Sequence, residues 1–250
     1  MTEPSYRDAL FTTPLDDVAS FSFDEQVVQC FPDMIRRSVP GYGQIIGMIG
    51  VLARRYLPPE GHIYDLGCSL GASTFSICRQ LPPDAFTLDA VDLSPPMIAR
   101  AREVLADSYP THRIRLYEGD IRTLEYRPAD MIVLNFTLQF LAPEERDQVI
   151  QSLADALNPG GLLVLSEKIV DDNPASEQLL FELHHDFKRA NGYSDLEISQ
   201  KRSALEDVMI TDSLTTHHER LARAGLTRSV TWFRQLNFAS MIAFKPGTAD

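Results

Sequence analysis

The chain has 250 residues, 44% hydrophobic and 23% charged, enough to bury one substantial core and to suggest one domain with an insertion rather than two equal domains. Twenty-three basic residues against 35 acidic ones give a net charge of −12, which opposes broad association with polyphosphate, so direct nucleic-acid binding is not expected. No uninterrupted apolar run of about 20 residues supports a membrane span, and Met1-Thr2-Glu3-Pro4 does not open a secretory signal, so a cytoplasmic enzyme is the expected class.

Residues 1–31 read as a polar-aromatic lead-in, with Phe21, Phe23 and Phe31 spaced to anchor it to the body. Ile45, Ile46, Met48, Ile49, Leu52 and Tyr56 then recur at near-helical spacing, predicting a helix that starts after Pro40-Gly41-Tyr42-Gly43 and ends before Pro58-Pro59. Strand and helix signals alternate from there: strands over 62–66, 86–91, 113–117 and 131–135, and helices over 72–80, 96–108 and 143–157. Asn158-Pro159-Gly160-Gly161 turns the chain into a further strand at 162–166. Helices over 175–190, 195–208 and 213–224 follow, and 230–234 with 239–244 closes the chain as an antiparallel hairpin at the sheet edge. Alternation of this kind predicts an α/β fold, a mostly parallel seven-stranded sheet covered by helices. Residues 1–60 form an N-terminal helical extension and 171–228 a late helical insertion in a single catalytic domain, 1–250.

The chemistry concentrates at Ile63-Tyr64-Asp65-Leu66-Gly67-Cys68-Ser69-Leu70-Gly71, an apolar run that breaks into a glycine-bounded loop before a helix. Glycines without Cβ let the backbone approach a ligand, and the helix start presents unpaired N–H groups to it. The pattern Asp-x-Gly-x-Ser-x-Gly resembles the first motif of class I S-adenosylmethionine-dependent enzymes, with Ser69 in place of the usual middle glycine and the acidic residue near the amino-acid end of the cofactor. Gly67-Cys68-Ser69-Leu70-Gly71 also fits a nucleophile elbow, but the upstream chain lacks the strands and the oxyanion loop of such hydrolases. A nicotinamide cofactor is disfavoured because Gly-x-Gly-x-x-Gly spacing is missing.

Asp92 closes the second strand 27 residues after Asp65, where a carboxylate can accept bonds from both ribose hydroxyls, although a helix cap or a surface acid would look the same. Asp120 and Ile121 follow the third strand, where an acid and a backbone N–H can read the adenine amino edge, as an ordinary turn also would. Asn135 ends the fourth strand at the ligand-binding edge of the sheet. Cys30, Cys68 and Cys78 lack a metal-like pair and read as reduced packing thiols, and the adjacent His184 and His185 point to different helix faces, so no metal is expected. Arg36-Arg37, Arg54-Arg55, Lys188-Arg189 and Lys201-Arg202 are cation pairs that read mainly as solvated surface charge, a minority of which can guide a small anion.

Extended blocks carry a more specific resemblance: Phe31-Pro32-Asp33-Met34-Ile35, Ser38-Val39-Pro40-Gly41-Tyr42, the glycine loop, Asn135-Phe136-Thr137-Leu138-Gln139-Phe140 and the segment from His184 to Arg202. Over almost the whole chain the sequence resembles the carboxy-S-adenosyl-L-methionine synthase family, which has the Rossmann-like class I methyltransferase fold. The resemblance implies that S-adenosyl-L-methionine and prephenate become carboxy-S-adenosyl-L-methionine and phenylpyruvate, the product then serving a downstream tRNA carboxymethyltransferase that modifies wobble uridine. It also implies a homodimer. The family's cofactor contacts carry over to Tyr42, Gly67, Cys68, Ser69, Asp92, Leu93, Asp120, Ile121, Asn135 and Arg202. Leu93 departs from the polar Asn that a member of the family carries there, so a backbone contact survives and a side-chain amide contact does not. In the implied chemistry the sulfonium acidifies its methyl group, the resulting ylide attacks carbon dioxide released from prephenate, and Arg202 recognises the new carboxylate. Prephenate's departing hydroxide can take the proton, leaving the protein base unassigned. The nearest alternative is an ordinary S-adenosylmethionine-dependent small-molecule methyltransferase; a noncatalytic binding protein is the third.

Overall fold

Apolar residues on alternate sides of the central strands dictate two cores, one on each face of the sheet. In the computed structural model, which describes residues 7–15 and 18–247, β1 (Gly61–Leu66) and β4 (Ala129–Asn135) lie at the middle. Ile63, Met131, Val133, Leu162 and Val164 pack on one face, while Tyr64, Leu66, Ile132, Leu134, Leu163 and Leu165 pack on the other. Period-two alternation demands this division, and burial on both faces marks a covered parallel sheet.

The sheet runs β3-β2-β1-β4-β5-β8-β7, with β2 (Phe86–Asp92), β3 (Ile114–Glu118), β5 (Leu157–Val170), β7 (Arg228–Gln235) and β8 (Phe238–Phe244). All pairs from β3 to β5 are parallel, and β8 runs antiparallel between β5 and β7. Strand order reverses between β1 and β4, so a crevice opens at the carboxyl ends of those strands. Helices α2 (Tyr42–Tyr56) and α3 (Ala72–Cys78) cover the first face. Helices α5 (Pro143–Ala156) and α8 (Leu214–Arg223) cover the second, and α4 (Pro95–Ser108) links β2 to β3.

The structure departs from the sequence reading at its margins. A helix starts inside the expected lead-in: α1 (Glu25–Ser38) begins at Glu25 because Asp24 accepts the N–H groups of Gln26 and Val27 at 3.0 Å. Val27, Cys30 and Met34 then bury one face against Met97, which holds the helix together through Pro32. Residues 1–6, Asp16 and Asp17 of that lead-in lie outside the described residues. The expected turn at 158–161 is a bulge inside β5, made by Gly160 at φ +80° and carried by backbone bonds to Lys245. The helix expected from 213 is preceded by a two-residue strand β6 (Asp212–Ser213) beside the end of β5. Buried Arg146 fixes that strand through Asp212 at 2.8 Å.

Above the carboxyl edge stand α6 (Pro174–Ala190) and α7 (Asp195–Leu205). Chain segments remote in sequence stitch α7 down. Gln200 accepts from Leu15 N and donates to Phe11 O and Thr13 O, while Phe21 N donates to Ala204 O at 2.9 Å. Lys201 meets buried Asp8 at 3.3 Å and Ser38 Oγ at 3.1 Å, and Tyr193 Oη donates to the same Asp8 carboxylate. Among the described residues no helix is long and apolar enough to cross a membrane.

Gly50 in α2 packs directly on Ser76 at the α2–α3 contact, where an added Cβ would sit 2.6 Å from Ser76 Oγ. Alanine normally gains about 1 kcal/mol over glycine inside a helix, but the clash here reverses the sign. Gly50→Ala should lose about 1–3 kcal/mol through overpacking, read as a lower midpoint in thermal or urea unfolding.

Candidate active site

Tight turning at the end of β1 shapes the floor of the site. Gly67, Ser69 and Gly71 take φ of +70°, +51° and +82°, so a serine holds a left-handed conformation normally left to glycine. Any Cβ at Gly67 would run into the Thr137 side chain. Gly67 N and Cys68 N donate to Val91 O at 2.8 and 3.0 Å, tying the loop to β2.

Asp65 does not line the cavity, although the motif places its acidic residue near the amino-acid end of the cofactor. Its carboxylate turns behind the loop and accepts Thr74 N at 3.1 Å and Thr74 Oγ1 at 2.7 Å, capping the start of α3. Burial pushes it up to about 6, against the pull of those two bonds. Ser69 Oγ donates to Met97 Sδ at 3.4 Å, with no histidine bonded to it among the described residues, which removes the nucleophile-elbow reading. Cys68 is buried and its thiol is pushed well up by burial, so it stays protonated.

Asp92 ends β2 with one oxygen accepting Ser69 N at 2.8 Å and the other accepting Ser94 N at 2.9 Å. Each oxygen keeps acceptor capacity toward the crevice. Burial raises this carboxylate, and three backbone N–H bonds oppose the rise. Leu93, 63% exposed, stands at the rim. Asp120 is gripped by the Arg122 guanidinium, with Nη2 at 2.6 Å from Oδ2, which holds it below the usual carboxylate range. Arg122 continues to Glu145 at 3.0 Å. Ile121 beside it is mostly buried.

Asn135 ends β4, and Phe136 then turns out of the strand at φ +61°. The Asn135 Oδ1 is buried and has no hydrogen-bond partner among the described residues. An orphaned buried acceptor is costly, so it is a place for a ligand donor. Tyr42, the first residue of α2, lies with its ring 6.2 Å from Phe136, and burial pushes its phenol up.

These residues line one cavity of about 670 Å³, and so does Arg202 from α7. Phe21, Phe23, Phe31 and Phe140 close over it as a T-shaped aromatic cluster, Phe23 lying 5.3 Å from Phe140. The charge along the cavity is bipolar. Asp92, Asp120 and Glu145, with Arg122 paired among them, occupy the β2–β3 end, while Lys168, Lys188, Lys201 and Arg202, with exposed Glu206 at the end of α7, occupy the end under α6 and α7. Exposed Arg202 lies 5.1 Å over the Phe181 ring and has no acidic partner within ion-pair distance among the described residues.

At the cationic end burial dominates the titration. It lowers Lys168 and Lys201, and together with repulsion from Lys168 and Lys201 it brings Lys188 to about 7. His184 falls to about 2 by burial and so stays neutral, its Nε2 bonded to Ser38 O at 2.8 Å. Among the described residues no group of three His, Cys, Asp or Glu could hold a metal ion.

The sequence singled out Lys188 and Lys201 only as members of cation pairs and missed Lys168 and Phe181. Lys168 had a signal: it lies two residues past the expected strand 162–166, near the carboxyl edge of the sheet where Asp92 and Asn135 end their strands.

The comparisons with known proteins agree with this geometry. Residues 63–161 match a family described as a methyltransferase domain. The chain is 66% identical to a carboxy-S-adenosyl-L-methionine synthase of Chromohalobacter salexigens, covering 98% of this chain and 91% of that protein. It is 53% identical to a protein of the same name from a Psychrobacter species, covering 95% of this chain and 91% of that one. An O-methyltransferase family protein from Burkholderia thailandensis superposes with a TM-score of 0.65 at 20% identity, over 90% of this chain and 61% of that one, which supports the α/β methyltransferase fold alone.

Asn135→Leu removes the orphaned acceptor. The apo protein should melt at the same temperature or higher, since a buried unsatisfied group costs about 1–3 kcal/mol. The stabilisation added by saturating S-adenosyl-L-methionine should shrink, as measured by scanning fluorimetry with and without it.

Proposed function

Because the chain belongs to the carboxy-S-adenosyl-L-methionine synthase family, we propose that it transfers a carboxyl group from prephenate to the S-methyl carbon of S-adenosyl-L-methionine, releasing phenylpyruvate. The synthase activity itself rests on identity of 53–66% to curated synthases over nearly the full chain. The observation that carries the finer reading is the bipolar cavity, with an orphaned acceptor at its centre and unmatched cations at one end. A neutral methyl acceptor would need no such excess of positive charge; a carboxylate donor and a carboxylated product do.

Each side chain has a role in this reading. Asp92 accepts from the ribose hydroxyls, and Asp120 with the Ile121 N–H reads the adenine edge. Gly67, Cys68 and Ser69 let the backbone lie against the nucleoside, with Tyr42 and the Leu93 backbone at its borders. Asn135 Oδ1 accepts from the ammonium of the methionine part. Bound together, the substrates supply the chemistry: the electron pair of the breaking ring–carboxylate bond enters the prephenate ring, the ring hydroxyl leaves and takes a proton from the sulfonium methyl as water, and that carbon bonds to the freed carbon dioxide. No protein base is required by this balance.

Arg202 discriminates between substrate and product. Its guanidinium repels the sulfonium of S-adenosyl-L-methionine, yet holds the new carboxylate through two charge-assisted bonds in a planar fork. Phe181 beneath it fixes that fork by cation–π contact.

Residues 1–250 act as one catalytic domain, with 1–60 as its N-terminal extension and 171–228 as the helical insertion that roofs the site. The protein works in the cytoplasm as a homodimer, for which Leu179 and Leu183, 55% and 40% exposed on α6, offer an apolar face. The product supplies a downstream tRNA carboxymethyltransferase at wobble uridine, and a net charge of −12 fits a protein that makes the donor without holding the tRNA.

With prephenate labelled at its ring carboxylate, mass spectrometry should find the label in carboxy-S-adenosyl-L-methionine; an unlabelled product, or a simple methylated one, would contradict the route. Arg202→Lys should weaken product binding about 10- to 100-fold, the range expected for a lost charge-assisted fork, with affinity for S-adenosyl-L-methionine nearly kept. Equal product affinity in calorimetry would remove Arg202 from that role.

A further inference from the structure

The cationic end holds more positive charge than the new carboxylate needs. Lys201 is matched by Asp8. Lys168 and Lys188 line the same cavity, half-buried, and neither ammonium has an ion-pair or hydrogen-bond partner among the described residues. Glu177 offsets part of the field at Lys168, but its carboxylate accepts Asp171 N at 2.8 Å. A low-dielectric site does not gather like charges without cost, and an arrangement of this kind marks a place for an anion.

Their placement separates them from the nucleoside. Asp92 lies on β2 and Lys168 on β5, three strand steps apart through β1 and β4. At about 4.8 Å per step the two ends are roughly 14 Å apart across the sheet. Asn135 on β4 stands between them. Lys188 faces the same end from the last turn of α6.

We propose that Lys168 and Lys188 anchor the carboxylates of the dianionic carboxyl donor, leaving Arg202 for the carboxylate that is formed. The assignment rests on the prephenate reading above. Two compact ammonium groups suit this task, because a lysine holds a carboxylate as a point charge with rotatable donors rather than in a fixed bidentate fork. The carboxylate that leaves as carbon dioxide is then released without breaking a planar pair.

A pH signature follows. The charged and titratable groups around Lys188 are Lys168 from β5, His184 and His185 from its own helix, and Lys201 and Arg202 from α7, with Glu177 near Lys168. Both histidines are lowered from their ordinary value and do not titrate above pH 7. Lys188 stands at about 7 in the free protein. A bound dianion raises it, so affinity is full below pH 7, falls as pH rises through and above 7, and binding takes up a proton in that window.

Calorimetric titration of prephenate into wild type, Lys168→Met and Lys188→Met, paired with steady-state kinetics, tests the assignment. Each Met variant should raise the Kd and KM for prephenate about 10-fold or more, with the KM for S-adenosyl-L-methionine within about 2-fold. Lys168→Arg and Lys188→Arg should recover most of the loss. Proton uptake at pH 8, read from buffers of different ionisation enthalpy, should shrink in Lys188→Met. Both Met variants remove an unmatched buried charge, and their melting temperatures and S-adenosyl-L-methionine binding report the fold. Unchanged prephenate Kd in both folded variants would overturn the anchors while leaving the function intact. Wild type that binds prephenate without carboxylating anything would overturn the function, and the anchors would stand on the loss of binding in the variants. Wild type that does not bind prephenate would overturn both.

Discussion

Uncompensated positive charge in a confined cavity is the constraint around which the site is built. Asp8 neutralises Lys201 alone, and Lys168, Lys188 and Arg202 are left to face the crevice. Burial first, and the neighbouring ammonium of Lys188 after it, keep His184 neutral. The acidic groups at the opposite end, Asp92 and Asp120, are each oriented by hydrogen bonds from loop residues rather than by the cations across the cavity. The polarity is therefore fixed by the scaffold before any ligand arrives.

The sheet supplies the rest by geometry. Asp92 and Asn135 end their strands, and Lys168 lies in β5 just past its parallel pairing with β4, so strand order sets their spacing without any one loop having to be long. The antiparallel β8 fills the remaining flank of β5, with Ser166 and Ser240 hydroxyls bonded at 2.8 Å in the buried interior. Asp65 serves this frame from behind by closing the first turn of α3, which holds the glycine loop in its unusual backbone conformation.

Local signals carried most of the architecture. Period-two alternation marked the strands, and glycine and proline marked their ends, so the seven strands and their order of appearance were legible, as were the residues at strand ends. What was not legible depended on partners far along the chain. Asp24 offers a helix cap in the sequence, but the helix that follows it buries its apolar face on Met97, a partner about 70 residues away. Asp212–Ser213 is a strand because Arg146 holds Asp212 beside the end of β5. The motif set Asp65 near the cofactor's amino-acid end, but a motif cannot tell which way a carboxylate turns, and this one turns onto Thr74. Lys168 went unread because the strand expected over 162–166 in fact runs on to Val170, and only that extension places the lysine near the carboxyl edge of the sheet. Arg202 stood out only through the family resemblance; its burial-free exposure and its Phe181 platform belong to tertiary structure.

The stitching of α7 to the beginning of the chain bears on how the molecule is made. Gln200 and Lys201 reach residues 185 to 193 positions earlier, among the most distant pairings in the protein. Contacts of such high sequence separation form late in folding, because loop closure is costly before local structure has shortened the chain. During synthesis the sheet can begin to assemble while α7 is still emerging, so the roof closes after its foundation. The roof over the cavity is complete only once Asp8, Leu15 and Phe21 have met α7.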